Sequence, residues 1–146
     1  MCGGGIAAPE RLAGTSQGLI RVVANDGFRT AHDDSDDTFS VPSERPQAVI
    51  HRPLDGRRYP GDRPLILDGA GDDLEDGVLH DDALVWRSSI DGYLGSGEEV
   101  YLPPGRLRRG LHSIVLVARD SDDMTAEAAV EITVGRLLLY LPMLSR

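Results

Sequence analysis

Two neighbouring stretches decide the fold, His112-Ser-Ile-Val-Leu-Val-Ala-Arg119 and Ala126-Glu-Ala-Ala-Val-Glu-Ile-Thr-Val134. The first is apolar from Ile114 to Ala118, and every second side chain of a strand lies on the same face. The second alternates at every second position, a period of two that is typical of a β-strand with one buried face. Together they predict an antiparallel hairpin whose inward face carries Ile114, Leu116 and Ala118 on one strand and Ala128, Val130, Ile132 and Val134 on the other.

Four shorter segments before this hairpin also have strand character. In one of them Leu84 and Trp86 alternate with Val85 and Arg87, which predicts Trp86 as a core residue. The 17 glycines and nine prolines are spread along the chain and favour many short segments over long helices. We therefore predict an all-β protein with an immunoglobulin-like β-sandwich of about seven strands. The four segments are Ala48–His51, Pro64–Leu67, Ala83–Ser88 and Val100–Leu102.

An internal repeat suggests a second, incomplete copy of the fold. Ile20–Phe28 matches Ile114–Asp122 at an offset of 94 residues, which places Ala24 on Ala118 and Asp26 on Asp120. One immunoglobulin-like sandwich is about 100 residues long. We interpret residues 16–41 as the last two strands of a truncated copy, with Asp33–Asp37 as a solvated hairpin connection. Chance similarity between two hairpins is the alternative.

This interpretation divides the chain into five parts. Residues 1–15 form an irregular Gly-rich leader, and residues 16–41 form the C-terminal hairpin of the truncated copy. Residues 42–46 are a linker, 47–134 the complete sandwich and 135–146 an apolar tail. The single cysteine, Cys2, lies in the leader and cannot form an internal disulfide. The core must therefore hold the sandwich together by packing.

Composition excludes several classes of function. The 146 residues carry a net charge of −9, and all 15 basic residues are arginine without a basic run, which argues against a nucleic-acid partner. The longest apolar run, Leu137–Leu141, is far shorter than the roughly 20 residues of a membrane span. No signal peptide is visible. The chain is then either cytoplasmic or the downstream part of a longer exported protein.

Three stretches of the sequence resemble the immunoglobulin-like and PKD-like β-sandwich modules of bacterial secreted or surface multidomain proteins. They are Gly69-Ala-Gly-Asp-Asp-Leu-Glu-Asp-Gly77, Leu84-Val-Trp-Arg-Ser-Ser-Ile-Asp-Gly92 and Gly110-Leu-His-Ser-Ile-Val-Leu-Val-Ala-Arg-Asp120. The resemblance implies an extracellular, non-catalytic accessory, adhesion or spacer module. Its partners would be the neighbouring domains of a longer chain, together with a protein or a polysaccharide. A homodimer through the hairpin of residues 16–41 is a further partner hypothesis.

Nothing in the sequence predicts an enzyme. There is no HExxH, Gly-x-Ser-x-Gly or P-loop motif. The four histidines, His32, His51, His80 and His112, are scattered without metal-ligand spacing, and His112 is interpreted as a packed residue of its strand. The alternative function is an ancillary carbohydrate-binding module attached to an upstream hydrolase. Its sugar-stacking side chains would be Tyr59, Tyr93 and Tyr101.

Two acidic clusters are the candidate site. Six acids lie between the second and third strands of the complete domain, and Asp120, Asp122 and Asp123 lie between the last two. In an immunoglobulin-like topology both loops emerge at one end of the sandwich. Calcium takes six to eight oxygen ligands from irregular loops, so calcium is the one cofactor we predict. Solvated loops are the alternative. The predicted ligands are Asp72, Asp73, Glu75, Asp76, Asp120 and Asp122; Asp81 and Asp82 complete the first cluster.

Overall fold

The computed structural model describes residues 13–136, which fall into two compact units, residues 13–44 and residues 45–136. Each unit is described separately. Among the described residues, no helix is long and apolar enough to cross a lipid bilayer. The strands are β1 (Thr15–Gly18), β2 (Arg21–Asn25), β3 (Thr30–Asp34), β4 (Phe39–Val41), β5 (Gln47–Arg52), β6 (Arg57–Tyr59), β7 (Leu65–Asp73), β8 (Gly77–Leu79), β9 (Leu84–Ser88), β10 (Gly92–Ser96), β11 (Glu99–Leu102), β12 (Gly110–Arg119) and β13 (Thr125–Val134), and a 3₁₀ turn spans Asp81–Ala83.

The N-terminal unit is a two-stranded ribbon with one interruption. β2 pairs antiparallel with β3, and β1 pairs antiparallel with β4. At the interruption the Ser35 backbone N–H donates to the carbonyl oxygen of Ile20, and the Ser35 hydroxyl accepts a hydrogen bond from the Ile20 N–H. The Phe39 ring covers Gly18, where an added Cβ would lie 2.6 Å from the ring. Such aromatic cover compensates a strand glycine for its missing side chain.

The predicted position of the hairpin connection is wrong. Asp33 and Asp34 lie within β3, and the tight turn begins at Asp26, seven residues before Asp33. The Asp26 carboxylate accepts hydrogen bonds from the backbone N–H groups of Phe28 (2.9 Å) and Arg29 (2.7 Å). Gly27 follows with a φ of 93°. An Asp-Gly pair is a strong turn signal because aspartate bonds to the backbone ahead and glycine tolerates positive φ.

The C-terminal unit is a sandwich of two sheets. One sheet has the strand order β10-β9-β12-β13-β6, and the other has the order β11-β7-β5, with β8 added to the end of β7. β12 and β13 pair antiparallel over ten residues each, from Gly110 opposite Val134 to Arg119 opposite Thr125. The prediction of an all-β, immunoglobulin-like sandwich is confirmed. The described part of this unit, residues 45–136, has nine strands rather than about seven, because β6, β8 and β10 carry no strong alternation.

The core lies between the two sheets, where the alternating patterns predicted it. Trp86, Leu84 and Ile114 are completely buried, and the Trp86 indole N–H donates to the carbonyl oxygen of Gly97 at 2.9 Å. Leu116, Ala118 and Ile132 are also inaccessible to solvent. Apolar burial of this kind contributes roughly 25 cal/mol per Å².

Candidate functional site: the acidic pole

One end of the sandwich gathers acidic residues from three connections. Ala118 lies opposite Leu84, so the β12–β13 loop and the turn before β9 share this end. The third connection is the turn between β7 and β8, which contains Asp76. The Asp76 carboxylate accepts hydrogen bonds from the Ser121 N–H (2.7 Å) and hydroxyl (2.9 Å), so this turn lies at the same end. We name this end the acidic pole. It comprises Asp72, Asp73, Glu75, Asp76, Asp81, Asp82, Asp120, Asp122 and Asp123.

Asp73 is the most deeply placed acid of the pole. The sequence placed it in a loop, whereas the structure places both Asp72 and Asp73 at the end of β7, because β8 extends the sheet beside them. Asp73 is 7% exposed, and its Oδ1 accepts hydrogen bonds from the N–H groups of Glu75 and Asp76. Its Oδ2 is buried and has no hydrogen-bond partner. Burial has removed the hydration of this oxygen, and no hydrogen bond from the protein replaces it.

The pKa of Asp73 reflects two opposed effects. Burial is the largest and raises the pKa, because it disfavours the charged form. The N–H groups of Asp76 and Glu75, together with the Glu75 side chain and the Leu74 N–H, stabilise the carboxylate and lower the pKa. The second group of effects wins, so the pKa of Asp73 lies below its ordinary value. The carboxylate is therefore ionised at neutral pH despite its burial.

Asp120 organises the loop on the other side of the pole. It is 8% exposed, and its Oδ1 accepts hydrogen bonds from the N–H groups of Asp122 (2.9 Å) and Met124 (2.8 Å). Asp123 has a φ of 63°, a left-handed conformation that aspartate tolerates better than most residues. Arg119 lies 3.5 Å from the Asp123 carboxylate on the exposed side of the loop. The loop is thus held by its own acids.

The six predicted ligands are only partly brought together. Asp73, Glu75 and Asp76 belong to one tight turn, and Asp76 reaches the 120–124 loop through Ser121. Asp72, on the opposite face of β7 from Asp73, is exposed, as is Asp122. Across residues 13–136, no three carboxylate, imidazole or thiol side chains are arranged to hold a metal ion. The calcium site stays a prediction that would require exposed side chains of the pole to turn inward.

A buried serine, histidine and aspartate lie near the opposite end. The Ser88 hydroxyl and His112 Nδ1 are 2.7 Å apart, and His112 Nε2 lies 2.7 Å from the Arg108 carbonyl oxygen. The nearest Asp91 carboxylate oxygen is 3.8 Å from Nδ1. Because His112 is completely buried, it is the packed strand residue that the sequence predicts. The group ties two turns together and presents no accessible nucleophile.

The aromatic residues considered for sugar stacking do not form a row. Tyr93 lies on β10 and Tyr101 on β11, which belong to different sheets. The Tyr59 hydroxyl accepts a hydrogen bond from the Leu54 N–H at 3.0 Å, which fixes this side chain beside the chain's own backbone. A carbohydrate-binding face needs several aromatic platforms in one plane. The described residues do not supply one on either sheet.

Sequence reasoning missed a cluster of arginines at the opposite end of the sandwich. Gly110 lies opposite Val134 there, and the Gly105 N–H donates to the Gly61 carbonyl oxygen, which joins the 60–64 and 103–109 loops. We name this end the basic pole; its arginines are Arg63, Arg106, Arg108, Arg109 and Arg136. The signal available in the sequence was the run Arg106-Leu-Arg-Arg109. Its significance depends on which loops meet.

Comparison with known proteins supports the fold. No protein-family model and no curated protein sequence matches the chain. A solved structure described as the fibronectin(III)-like modules of CbhA from Clostridium thermocellum matches with a TM-score of 0.54 and 17% identity. The match covers 90% of this chain and 70% of that one. At this identity the likeness is one of fold, and it makes this chain an immunoglobulin-like, fibronectin(III)-like β-sandwich protein.

Proposed function

We propose that this chain is a non-catalytic accessory or spacer module of a larger extracellular bacterial protein. The observation that carries the proposal is the repetition of one hairpin design in its two units. A protein built from successive copies of one sandwich uses them to position its other domains. The fibronectin(III)-like fold of the C-terminal unit and the burial of Ser88 and His112 both support a role without catalysis.

The two hairpins share turn chemistry and a similar strand pairing, although the connection in the sandwich is one residue longer. Ala24 lies opposite Ala31 in the N-terminal unit, and its sequence match Ala118 lies opposite Ala126 in the sandwich. Asp26 and Asp120, which the repeat aligns, each accept two backbone N–H groups of their turn through a single oxygen. The match to the CbhA modules covers more of the chain than Arg45–Arg146 can supply. These facts support the N-terminal hairpin as the end of another copy.

The exposure of the N-terminal hairpin supports the same interpretation. Val22 is 63% exposed, whereas Leu116, which aligns with it, is completely buried. Ile20 and Ile114 differ in the same way. Two strands alone are marginal in water, so the apolar face of the hairpin requires cover from further strands of a longer protein. A homodimer through this hairpin is the alternative source of cover.

Amide hydrogen exchange on the full chain, combined with sedimentation velocity, tests the hairpin assignment. We expect a monomer in which the amides of β2 and β3 exchange within minutes while those of β12 are protected by the sandwich. A concentration-dependent dimer that protects β2 and β3 would establish the homodimer. Strong protection of β2 and β3 in a monomer, together with protected strands formed by residues 1–15, would refute the assignment, because the N-terminal unit would then possess a core of its own.

We further propose that calcium stiffens the acidic pole. The buried Oδ2 of Asp73 supports this, because it accepts no hydrogen bond and a bound cation would replace the hydration that it has lost. Calcium at 100 times its dissociation constant should add about 2.7 kcal/mol, which raises the melting temperature by several degrees. The measurement is a thermal melt in millimolar calcium against excess chelator.

Matched variants locate the calcium effect. Asp73→Asn retains an Oδ1 acceptor for the turn but removes the charge, so the calcium shift should disappear. Asp62→Asn removes an exposed charge at the other end of the sandwich and should leave the shift unchanged. Identical melts of the wild-type chain in calcium and chelator would refute the calcium proposal and favour solvated loops.

A further inference from the structure

The two ends of the sandwich carry opposite charge. The acidic pole holds nine carboxylates, with Arg119 on β12 and Arg45 two residues before β5 as the nearby arginines. The basic pole holds five arginines and two acids, Asp62 and Asp91, of which Asp91 is almost fully buried. At each end, charged side chains of one sign outnumber those of the opposite sign, so local ion pairs do not neutralise the charge. A charge distribution of this kind steers association and fixes the orientation of partners.

Three arginines of the basic pole line an open cleft of about 370 Å³. Asp62, Leu107, Arg108, Arg109 and Arg136 contribute to its walls, together with Gly61 and Gly105. Arg108 is anchored through its backbone N–H, which donates to the Asp91 carboxylate at 2.9 Å, and its Nε lies 3.3 Å from the same group. The Arg106 guanidinium donates to the Tyr93 carbonyl oxygen at 2.8 Å. Arg108 is therefore held at the rim of the cleft, and Arg106 is held beside it.

The acidic pole supplies the complementary surface. Asp122 and Asp123 project from the 120–124 loop, and the Asp123 side chain is 85% exposed. Asp72 is exposed at the end of β7. Crowded carboxylates repel one another, and cationic partners relieve that repulsion. Guanidinium groups are suited to this role because they bind carboxylates through two parallel hydrogen bonds.

We propose that the sandwich docks end to end with a second copy of this chain, the acidic pole of one copy entering the arginine cleft of the next. β5 begins at the acidic pole, where Gln47 lies opposite Asp72, and β13 ends at the basic pole, where Val134 lies opposite Gly110. The contact therefore joins the end of one module to the start of another. A contact between two different surfaces repeats without closing and builds a row of modules.

This inference goes beyond the proposed accessory role, which does not require self-association. It also differs from a dimer through the N-terminal hairpin, since apolar burial between hairpins would persist in salt. Electrostatic docking between exposed surfaces weakens as salt shortens the screening length from about 30 Å at 0.01 M to about 3 Å at 1 M. Salt dependence thus distinguishes the two modes of association.

The experiment is sedimentation velocity of the full chain with chelator present, at 20 mM and 500 mM NaCl. We expect concentration-dependent association at 20 mM NaCl that is at least tenfold weaker at 500 mM. Arg109→Glu with Arg136→Glu makes both ends acidic and should abolish self-association. Asp72→Arg with Asp122→Arg places two cations among the exposed acids of the acidic pole and should have the same effect. An equimolar mixture of the two double variants should associate again, because each then offers the surface that the other lacks.

A matched control separates pole chemistry from net charge. Arg52→Glu with Arg87→Glu changes the net charge as much as the first double variant, but both residues lie between the poles, on β5 and β9. This control should associate as the wild-type chain does. A monomeric wild-type chain at 20 mM NaCl, an equal loss in the control, or a mixture that fails to associate would each overturn the proposal. Circular dichroism of every variant confirms that the sandwich is folded.

Discussion

Gly69 on β7 provides the sharpest test of how the core is packed. A Cβ added there would lie 2.7 Å from the carbonyl oxygen of Val49, 2.7 Å from Leu116 Cδ2 and 2.9 Å from Trp86 Cζ2. Optimal carbon contacts are about 3.5–4.0 Å. Leu116 and Trp86 are completely buried, and the carbonyl belongs to the neighbouring strand, so none of the three can move away freely. We expect Gly69→Ala to destabilise the sandwich by about 3 kcal/mol, the upper end of overpacking costs.

The melting temperature of the sandwich should then fall by more than about 10 °C, given roughly 4–8 °C per kcal/mol in a domain of this size. Trp86 is the chain's one tryptophan and lies in the core, so its fluorescence reports this unit. Gly135→Ala is the control, because no atom lies within 4 Å of the added Cβ. Gly71→Ala should fall between them, since its nearest contact is the Leu84 side chain. Equal melting of Gly69→Ala and Gly135→Ala would refute this account of the packing.

Three further measurements address the polar groups. Ser88→Ala leaves the buried His112 Nδ1 without its 2.7 Å partner and should cost about 1–3 kcal/mol in a chemical melt, whereas the exposed Ser89→Ala should cost less. Asp76→Ala removes both bonds to Ser121 and should cost about 1 kcal/mol, more than Ser121→Ala. Because the folded pKa of Asp73 is depressed, the unfolded chain binds more protons between that pKa and about 4. Stability should therefore fall as the pH drops through this window, and Asp73→Asn should flatten the dependence; an unchanged slope would contradict the assignment.

The core of the sandwich was predictable because strand geometry decides both the alternation of side chains along the sequence and which of them are buried. Successive side chains of a strand point to opposite faces, so Leu84, Trp86 and Ile114 could be assigned inward positions from spacing alone, and all three are completely buried. The short strands β6 and β8 escaped prediction for the same reason. Three residues are too few to show a period, and their pairing depends on neighbours that are distant in sequence.

The acidic pole was predictable as a location but not as an arrangement. The topology of the fold places the connections at one end, and the bonds between Asp76 and Ser121 agree with that expectation. No local pattern reveals that Asp73 ends a strand or that one of its oxygens is buried without a partner. Those facts depend on β8, which turns back against β7. The basic pole was missed because its arginines come from loops that meet only in the folded sandwich.

Three aspartates of this chain also have a structural role that the amino-acid composition does not reveal. Asp26, Asp73 and Asp120 each use one carboxylate oxygen to accept two backbone N–H groups of the turn that follows. An aspartate at such a position specifies a turn through hydrogen bonds to its own backbone. These oxygens are already committed, so an ion or an arginine must use the remaining ones, among which Asp73 Oδ2 is buried. Asp72 and Asp122 are exposed and do not hold these turns, so they are the acids best placed to engage a partner of opposite charge.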